Sequence, residues 1–359
     1  MIPRLFEKGA ETFDNFGICP LVDCISCKVT EERNGIYALE LEYPRGGRWA
    51  DELAVDRIIL ADPHDDSTQA EPFRIKELAF DMNGNILVNA EHISYQLNYV
   101  IIGANTNYTR YPSKFWEKEN ENLLSAENPF SFFTDINDDA GTVYQYGCDA
   151  PTPLRKLLGG MEGSMLDLYG GEFEWNRFTV NLWASRGADN GVKIAYTKNL
   201  TGLTYDIDLS NVYTGVVAYW TDGTNTVQSA VQEATHSYAF NRDIVVDASA
   251  DFDTQPTVAQ LNAWASAYLA ANAPDPAVSV EVEFVPLWQT EEYKDFYDLE
   301  HVSLCDIVTV LYPPLNLSVK AKVVKTVYNV LADRYDEITI SSIKQTLSDT
   351  IYSLMKEIA

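Results

Sequence analysis

Residues 25–43 read Ile-Ser-Cys-Lys-Val-Thr-Glu-Glu-Arg-Asn-Gly-Ile-Tyr-Ala-Leu-Glu-Leu-Glu-Tyr, and this stretch decides the fold class. Asn34-Gly35 separates two runs rich in extended-chain formers. It is the dipeptide that tolerates the positive φ angles of a type I′ hairpin turn. After it, Tyr37, Leu39, Leu41 and Tyr43 fall on one face of a strand and Glu40 and Glu42 on the other, because successive strand side chains point to opposite faces. Such alternation predicts antiparallel sheet covered on one side.

Working outward, Phe73–Phe80 and Ile86–Ile93 repeat the pattern around Asn83-Gly84, and Arg57–Ala61 adds a further strand. Residues 1–104 therefore read as a small β-barrel or sandwich. From Asn105 to Leu200 the chain turns polar, aromatic and turn-rich, and reads as an inserted α+β domain. Short helices are expected from Pro153 to Gly159-Gly160 and from Ser164 to Tyr169, stopped by Gly170-Gly171. A third hairpin, Glu172–Trp175 and Phe178–Trp183, turns at Asn176-Arg177. Residues 201–342 open with Val212–Trp220 and Ser237–Val246. A helix follows over 256–272, with Pro256 in its first turn after a Thr254 cap and a stripe of Val258, Leu261, Ala265, Tyr268 and Leu269. Alternating Val278, Val280, Val282 and Phe284, then Ile307–Tyr312, Val319–Tyr328 and Glu337–Ser341, complete a second barrel. In the terminal segment 343–359, Ile343, Leu347, Ile351, Leu354 and Ile358 recur at spacings of 4, 4, 3 and 4. That is the seam of an amphipathic helix, either a stem between chains or a helix packed on its own domain. The expected fold is mainly β with minor α: two small antiparallel β-barrel domains, an inserted irregular α+β domain and a C-terminal helix.

The 359 residues carry 53 Asp and Glu against 26 Lys and Arg, a formal charge of −27. This excludes a surface that grips nucleic acid or an anionic membrane. Apolar residues at 46% and aromatics at 12% exclude disorder, and no apolar run approaches the ~18–20 residues needed to span a bilayer. Met1–Lys8 lacks the apolar region of a secretory signal, which points to synthesis in a cytoplasm. The acid is unevenly placed. Thr201–Thr309 holds only Arg242 and Lys294 against 17 acids, which suits a solvated face or a surface that repels a polyanion. Lys320, Lys322 and Lys325 on one late strand could meet acidic neighbours.

No Gly-x-Ser-x-Gly elbow, His-Glu-x-x-His, phosphate-binding loop or dinucleotide fingerprint is present. Gly159-Gly160 and Gly163 lack a phosphate-binding lysine and read as helix stops. Five scattered cysteines make no disulfide framework. Cys19, Cys24 and Cys27 are close enough for a metal knuckle. An offset of three along a strand, however, sends Cys24 and Cys27 to opposite faces, and the next cysteine is Cys148. His64, His92, His236 and His301 are dispersed, so only the fold could pair them. Asp135, Asn137 and Asp139 resemble the start of a calcium loop, but Ala140 stands where glycine is required and Tyr146 where glutamate is. Neither catalytic residues, metal nor cofactor are expected.

Several passages together resemble the baseplate-hub family of phage and prophage tail tips, the amino-terminal structural part of tail-associated lysins and prophage endopeptidase tail proteins. They are Thr30–Gly35 with the Leu39–Pro44 strand, Ala90–Tyr95, Lys198–Leu203 after Gly191–Ile194, the segment from Val302 (VSLCDIVTV) and that from Val330 (VLADRYDEITIS). The resemblance spans Leu21 to Ser342, and order and spacing carry it rather than any one motif. Cys305 and Thr197 depart from it, each standing where the family pattern has glycine. The resemblance implies two related barrels per chain and a homotrimer whose six barrels form a pseudo-sixfold ring. That ring joins the tail tube or distal tail protein to tip or fibre proteins in the virion, with DNA passing through it, and the acid count of Thr201–Thr309 suggests that this lumen is acidic. It also implies that any cell-wall hydrolase domain lies C-terminal to this chain. The other readings are a peptidoglycan hydrolase with its site in Asn105–Leu200, and a carbohydrate-binding adhesin that uses the 21 Tyr and 7 Trp.

Overall fold

The computed structural model describes residues 2–125, 127–138, 144–235, 238–272, 277–284, 286–290, 292, 301–315 and 317–342. These residues are mainly strand, with few helices. The chain forms two compact units, unit 1 of residues 1–204 with 280–359, and unit 2 of residues 205–279.

The first seven strands are β1 (Arg4–Phe6), β2 (Cys19–Pro20), β3 (Ser26–Glu32), β4 (Tyr37–Pro44), β5 (Ile58–Ala61), β6 (Glu71–Phe80) and β7 (Asn85–His92). β3 and β4 pair antiparallel with Val29 opposite Leu39. Tyr37, Leu39, Leu41 and Tyr43 are buried, as the alternation requires. Their turn is not a two-residue I′ loop. Only Asn34 takes a left-handed conformation, at φ +57°, and the loop is closed by Glu32 N–H donating to the Ile36 carbonyl at 2.7 Å. At the second hairpin Gly84 adopts φ +85°, and Asp81 accepts from the backbone N–H groups of Asn83 and Asn85.

Residues 101–195 are built from short elements: β8 (Ile101–Ile102), β9 (Asn105–Arg110), α1 (Phe115–Asn120), β10 (Ser131–Thr134), β11 (Tyr144–Cys148), β12 (Thr152–Pro153), α2 (Leu154–Leu158), α3 (Met165–Tyr169), β13 (Glu172–Asn176), β14 (Thr179–Trp183) and β15 (Lys193–Ala195). Glycines end both short helices, Gly160 at φ +106° after α2 and Gly170 and Gly171 at +66° and +99° after α3. The Ser164 hydroxyl caps α3 by accepting from Asp167 N–H. β13 and β14 form the expected hairpin, and β10 adds to β14 in parallel.

Two paired strands, β16 (Leu200–Asp208) and β21 (Ala277–Phe284), cross the boundary between the units. Within unit 2, β17 (Gly215–Thr221) takes β18 (Thr226–Gln228) and β19 (Gln232–Glu233) antiparallel on one edge. On the other edge it takes β20 (Asp243–Asp247) in parallel. Helix α4 (Val258–Asn272) buries Leu261, Ala265 and Leu269 against Val216, Ala218 and Trp220 of β17. Its cap is Thr257, not Thr254. Thr257 Oγ1 accepts from Gln260 N–H at 3.3 Å while Gln260 Oε1 accepts from Thr257 N–H at 2.8 Å, a reciprocal capping box. Pro256 therefore precedes the helix, and Val258 at its first turn is half exposed.

The last strands are β22 (Ile307–Tyr312), β23 (Leu317–Asn329) and β24 (Arg334–Ser342). They do not stand apart from the first hundred residues. One 11-stranded sheet runs β15-β22-β23-β3-β4-β7-β6-β5-β1-β2, with β24 beside β23. β23 is the seam. Its first half pairs with β22, residues 325–329 pair with β3 on the same edge, and β24 follows the opposite edge. The strands of 201–342 thus divide, β17–β20 forming the sheet of unit 2 and β22–β24 joining the sheet of unit 1. Alternation states which face of a strand is buried but not which strand lies beside it, so the sequence could not show this division. Among the described residues no helix is long and apolar enough to cross a membrane. Ile343, Leu347, Ile351, Leu354 and Ile358 lie outside the described residues.

Candidate functional site

Where β23 meets β3, the inward side chains are charged. Glu31 near the end of β3, Glu172 at the start of β13 and Lys322 on β23 are each under 8% exposed. Lys322 Nζ donates to both Glu172 oxygens at 2.6 and 2.7 Å. Arg33, in the loop after β3, donates to Glu172 Oε1 at 3.1 Å, and Arg186 Nη1 donates to Glu31 Oε1 at 2.8 Å. Burial works against the Arg186 charge, but the Glu31 carboxylate outweighs it and raises the guanidinium above its ordinary pKa. Glu174 joins the cluster, accepting from Trp183 Nε1 and Asn181 Nδ2. Asn34 completes the joint. Its amide donates to the Gly171 carbonyl at 3.0 Å and its oxygen accepts from Phe173 N–H at 2.8 Å. The left-handed residue that turns the first hairpin thereby docks it on β13. Each acid of this clasp is held by cations or N–H donors, an arrangement that fixes geometry.

A second cluster lies close by. His64 Nδ1 is 2.5 Å from Asp66 Oδ1, His301 Nε2 is 2.9 Å from Asp65 Oδ1, and Trp288 Nε1 donates to Asp65 Oδ2 at 2.8 Å. The hydrogen bond from His64 holds the Asp66 carboxyl down at about 2. A pocket of about 250 Å³ is lined by residues of both clusters, among them Glu31, His64, Asp66, Arg186 and Tyr335. Its polar lining and small volume do not fit a drug-sized apolar ligand.

The third histidine is structural. His92 is fully buried, stacks on Tyr37 at 4.4 Å, and approaches Glu71 Oε2 at 3.1 Å. Burial pushes His92 down to about 3 and Glu71 up to about 8, so at pH 7 this is a hydrogen bond between neutral groups rather than an ion pair. His236 lies outside the described residues.

The other residues singled out from sequence have structural tasks. All five cysteines are free. Cys27 lies in the core, while the Cys24 thiol, pushed up to about 12 by burial, faces the carbonyls of Ser26 and Glu42. Asp135 accepts from Ala184 N–H at 2.6 Å, and Asp139 lies outside the described residues. Each late-strand lysine meets an acid, Lys320 with Asp189, Lys322 with Glu172 and Lys325 with Glu337. Of the acids between Thr201 and Thr309, Asp222, Glu233, Asp243, Asp247, Asp251 and Asp253 are exposed in unit 2. Asp306 is instead buried and accepts from Ala188 and Ser303 N–H groups.

Sequence reading missed the clasp as a whole, because its six charged residues, Glu31, Arg33, Glu172, Glu174, Arg186 and Lys322, come from four separated stretches. The one part of it read from sequence was Lys322, which does meet an acidic neighbour, Glu172. Several residues that carry the family resemblance do prove to be turn and capping groups. Asn34 docks a hairpin, Asn199 Oδ1 accepts from Ala195 N–H, Asp306 caps two backbone groups, and Asp333 turns between β23 and β24 at φ +53°. The two departures from the pattern, Thr197 and Cys305, adopt φ +71° and +72°, the left-handed region where glycine is at ease.

The sequence pattern of the family described as prophage endopeptidase tail matches residues 188–351. No curated protein matches the chain. Among solved structures, prophage tail protein gp18 from Listeria monocytogenes EGD-e shares 16% identity with a TM-score of 0.59, covering 99% of each chain. The prophage MuSo2 43 kDa tail protein from Shewanella oneidensis shares 11% identity with a TM-score of 0.57, over 89% of this chain and 94% of the other. The tail protein from Neisseria meningitidis MC58 shares 9% identity with a TM-score of 0.57, over 95% and 96%. The resemblance to prophage tail proteins read from the sequence is therefore found again in both the family pattern and the fold.

Proposed function

We propose that this chain is a structural hub of a phage or prophage tail tip, synthesised in the host cytoplasm and built into the virion. In this reading three copies form a ring of pseudo-sixfold symmetry that joins the tail tube or distal tail protein to tip or fibre proteins and lets DNA pass. The family match over residues 188–351 is the observation that carries the reading. Surface chemistry agrees with it. Phe80, Met82 and Leu87 on the β6–β7 hairpin are exposed apolar side chains that a neighbouring tail protein would cover. Unit 2 holds nine acids and a single cation, Arg242, whose guanidinium lies over the rings of Tyr238 and Phe240. Exposed carboxylates without free cations suit a passage to which DNA, with one charge per ~1.7 Å of axis, must not adhere. The terminal seam Ile343, Leu347, Ile351, Leu354 and Ile358 suits a trimeric stem. Sedimentation equilibrium of the chain, alone and with its tail-tube neighbour, is expected to give a mass of three chains. A monomer under both conditions would overturn the ring, and a ring structure with the unit 2 acids on its outer wall would overturn the acidic passage.

The family's description, with its word endopeptidase, favours a second reading as a peptidoglycan hydrolase. The clasp offers no free acid or nucleophile for it. Release of muropeptides from purified cell wall by this chain alone would install that reading in place of the first.

A further inference from the structure

We propose that the niche beside Arg155, between α2 and β13, binds a single carboxylate group through the Arg155 guanidinium. Arg155 is half-buried. Its guanidinium carbon lies 4.1 Å from the centre of the Tyr95 ring and 4.6 Å from that of Trp175, and Nη1 donates to the buried Ser94 hydroxyl at 3.1 Å. Aromatic rings attract a positive charge but do not replace a counter-ion, and a guanidinium carries five N–H donors in one plane.

The counter-ion is what this arginine lacks. Arg33 and Lys322 share Glu172, and Arg186 has Glu31, whereas no acid among the described residues forms an ion pair with Arg155. Tyr95 and Glu91 favour its charged form, but Glu91 is itself bound to Lys76 at 2.5 Å. Burial outweighs both and holds the guanidinium below its ordinary pKa. The same charge, after burial, helps to keep His92 neutral. A cation withdrawn from water without an anion is costly, and the fold leaves space for one beside it.

That space is a niche of about 80 Å³ whose walls include Leu158, Gly159, Leu166, Phe173 and Trp175. At about 30 Å³ per water in the liquid, it holds a carboxylate with a short stem and nothing larger. Gly159 keeps it open, since a Cβ there would stand 3.3 Å from Leu166 and 3.6 Å from Phe173. Apolar walls strengthen a charge-assisted hydrogen bond, and the planar fork of a guanidinium matches a carboxylate. The carboxylate belongs to a short free acid or to an aspartate or glutamate of a second copy.

The test is saturation-transfer NMR of the full chain with sodium propionate and, separately, with propionamide, its neutral isostere. Transfer to propionate and none to propionamide is expected. Arg155→Lys, which keeps the charge but not the fork, should weaken propionate about tenfold. Gly159→Leu should abolish transfer by filling the niche, while Arg48→Lys, at an exposed arginine, leaves it unchanged. No transfer, equal transfer to both probes, or propionate binding that survives both niche variants would overturn the proposal. Should one niche variant misfold, the other and the two probes on the unaltered chain still decide. Transfer that is lost as copies associate at high protein concentration assigns the carboxylate to a second copy, and transfer that persists assigns it to a free acid.

Discussion

In unit 2, Val216, Ala218 and Trp220 of β17 meet Leu261, Ala265 and Leu269 of α4 in a cluster of apolar side chains, whereas unit 1 closes its longest seam around Glu31, Glu172 and Lys322. The two interiors solve different problems. A sheet with one helix across it needs only apolar area removed from water, a force without direction that tolerates changes of shape. The seam must bring β3, β13, β23 and the loop after β14 into one register from places far apart in sequence, and ion pairs with hydrogen-bond geometry discriminate among registers as apolar contact cannot. A buried pair adds little net stability over a well-packed apolar pair, but removing one partner strands the other in low dielectric.

That contrast can be broken at either end. The largest effect is expected from Glu172→Ala, which strands Lys322, Arg33 and the Arg186 N–H at once. Unit 1 should lose about 3–5 kcal/mol. Hydrogen exchange read by mass spectrometry should show faster exchange in β3, β13 and β23 with β17 unchanged, and a loss below about 1 kcal/mol would show that the seam rests on its apolar residues instead. Leu261→Ala should cost about 3 kcal/mol, confined to unit 2. Fluorescence of Trp220 and Trp264 should report an earlier urea midpoint while exchange in unit 1 stays the same, and loss of protection in both units together would show that they unfold as one. The smallest effect is a gain. Thr197, β-branched and exposed at φ +71°, is strained, so Thr197→Gly should raise the stability of unit 1 by about 1 kcal/mol. An unchanged or lower denaturation midpoint would show that the turn is held at no cost.

The turns show how far the sequence could be read. Gly159-Gly160 and Gly170-Gly171 stop their helices where expected, because a residue without Cβ is the cheapest way to leave a helix. Asn34-Gly35 marks a turn correctly but not its type, since the Asn34 side chain is bound to β13 through Phe173 N–H, a contact 139 residues away. The sequence reading put the cap of α4 at Thr254, whereas Thr257 forms it. Gln260 decides between them, and the Thr-x-x-Gln spacing was present to be read.

By itself the sequence determined the mainly β class, the faces that strands such as β4 bury, the helix stops, the acidity of unit 2 and the resemblance to prophage tail proteins. Each of these follows from side-chain chemistry acting over a few residues. Only the tertiary structure decided that β23 joins β3, that β17–β20 form a sheet of their own, and that Lys322, Glu172, Arg33, Arg186 and Glu31 share one buried joint. Strand pairing and charge pairing are made between partners distant along the chain, and alternation of period two looks the same whichever partner lies alongside.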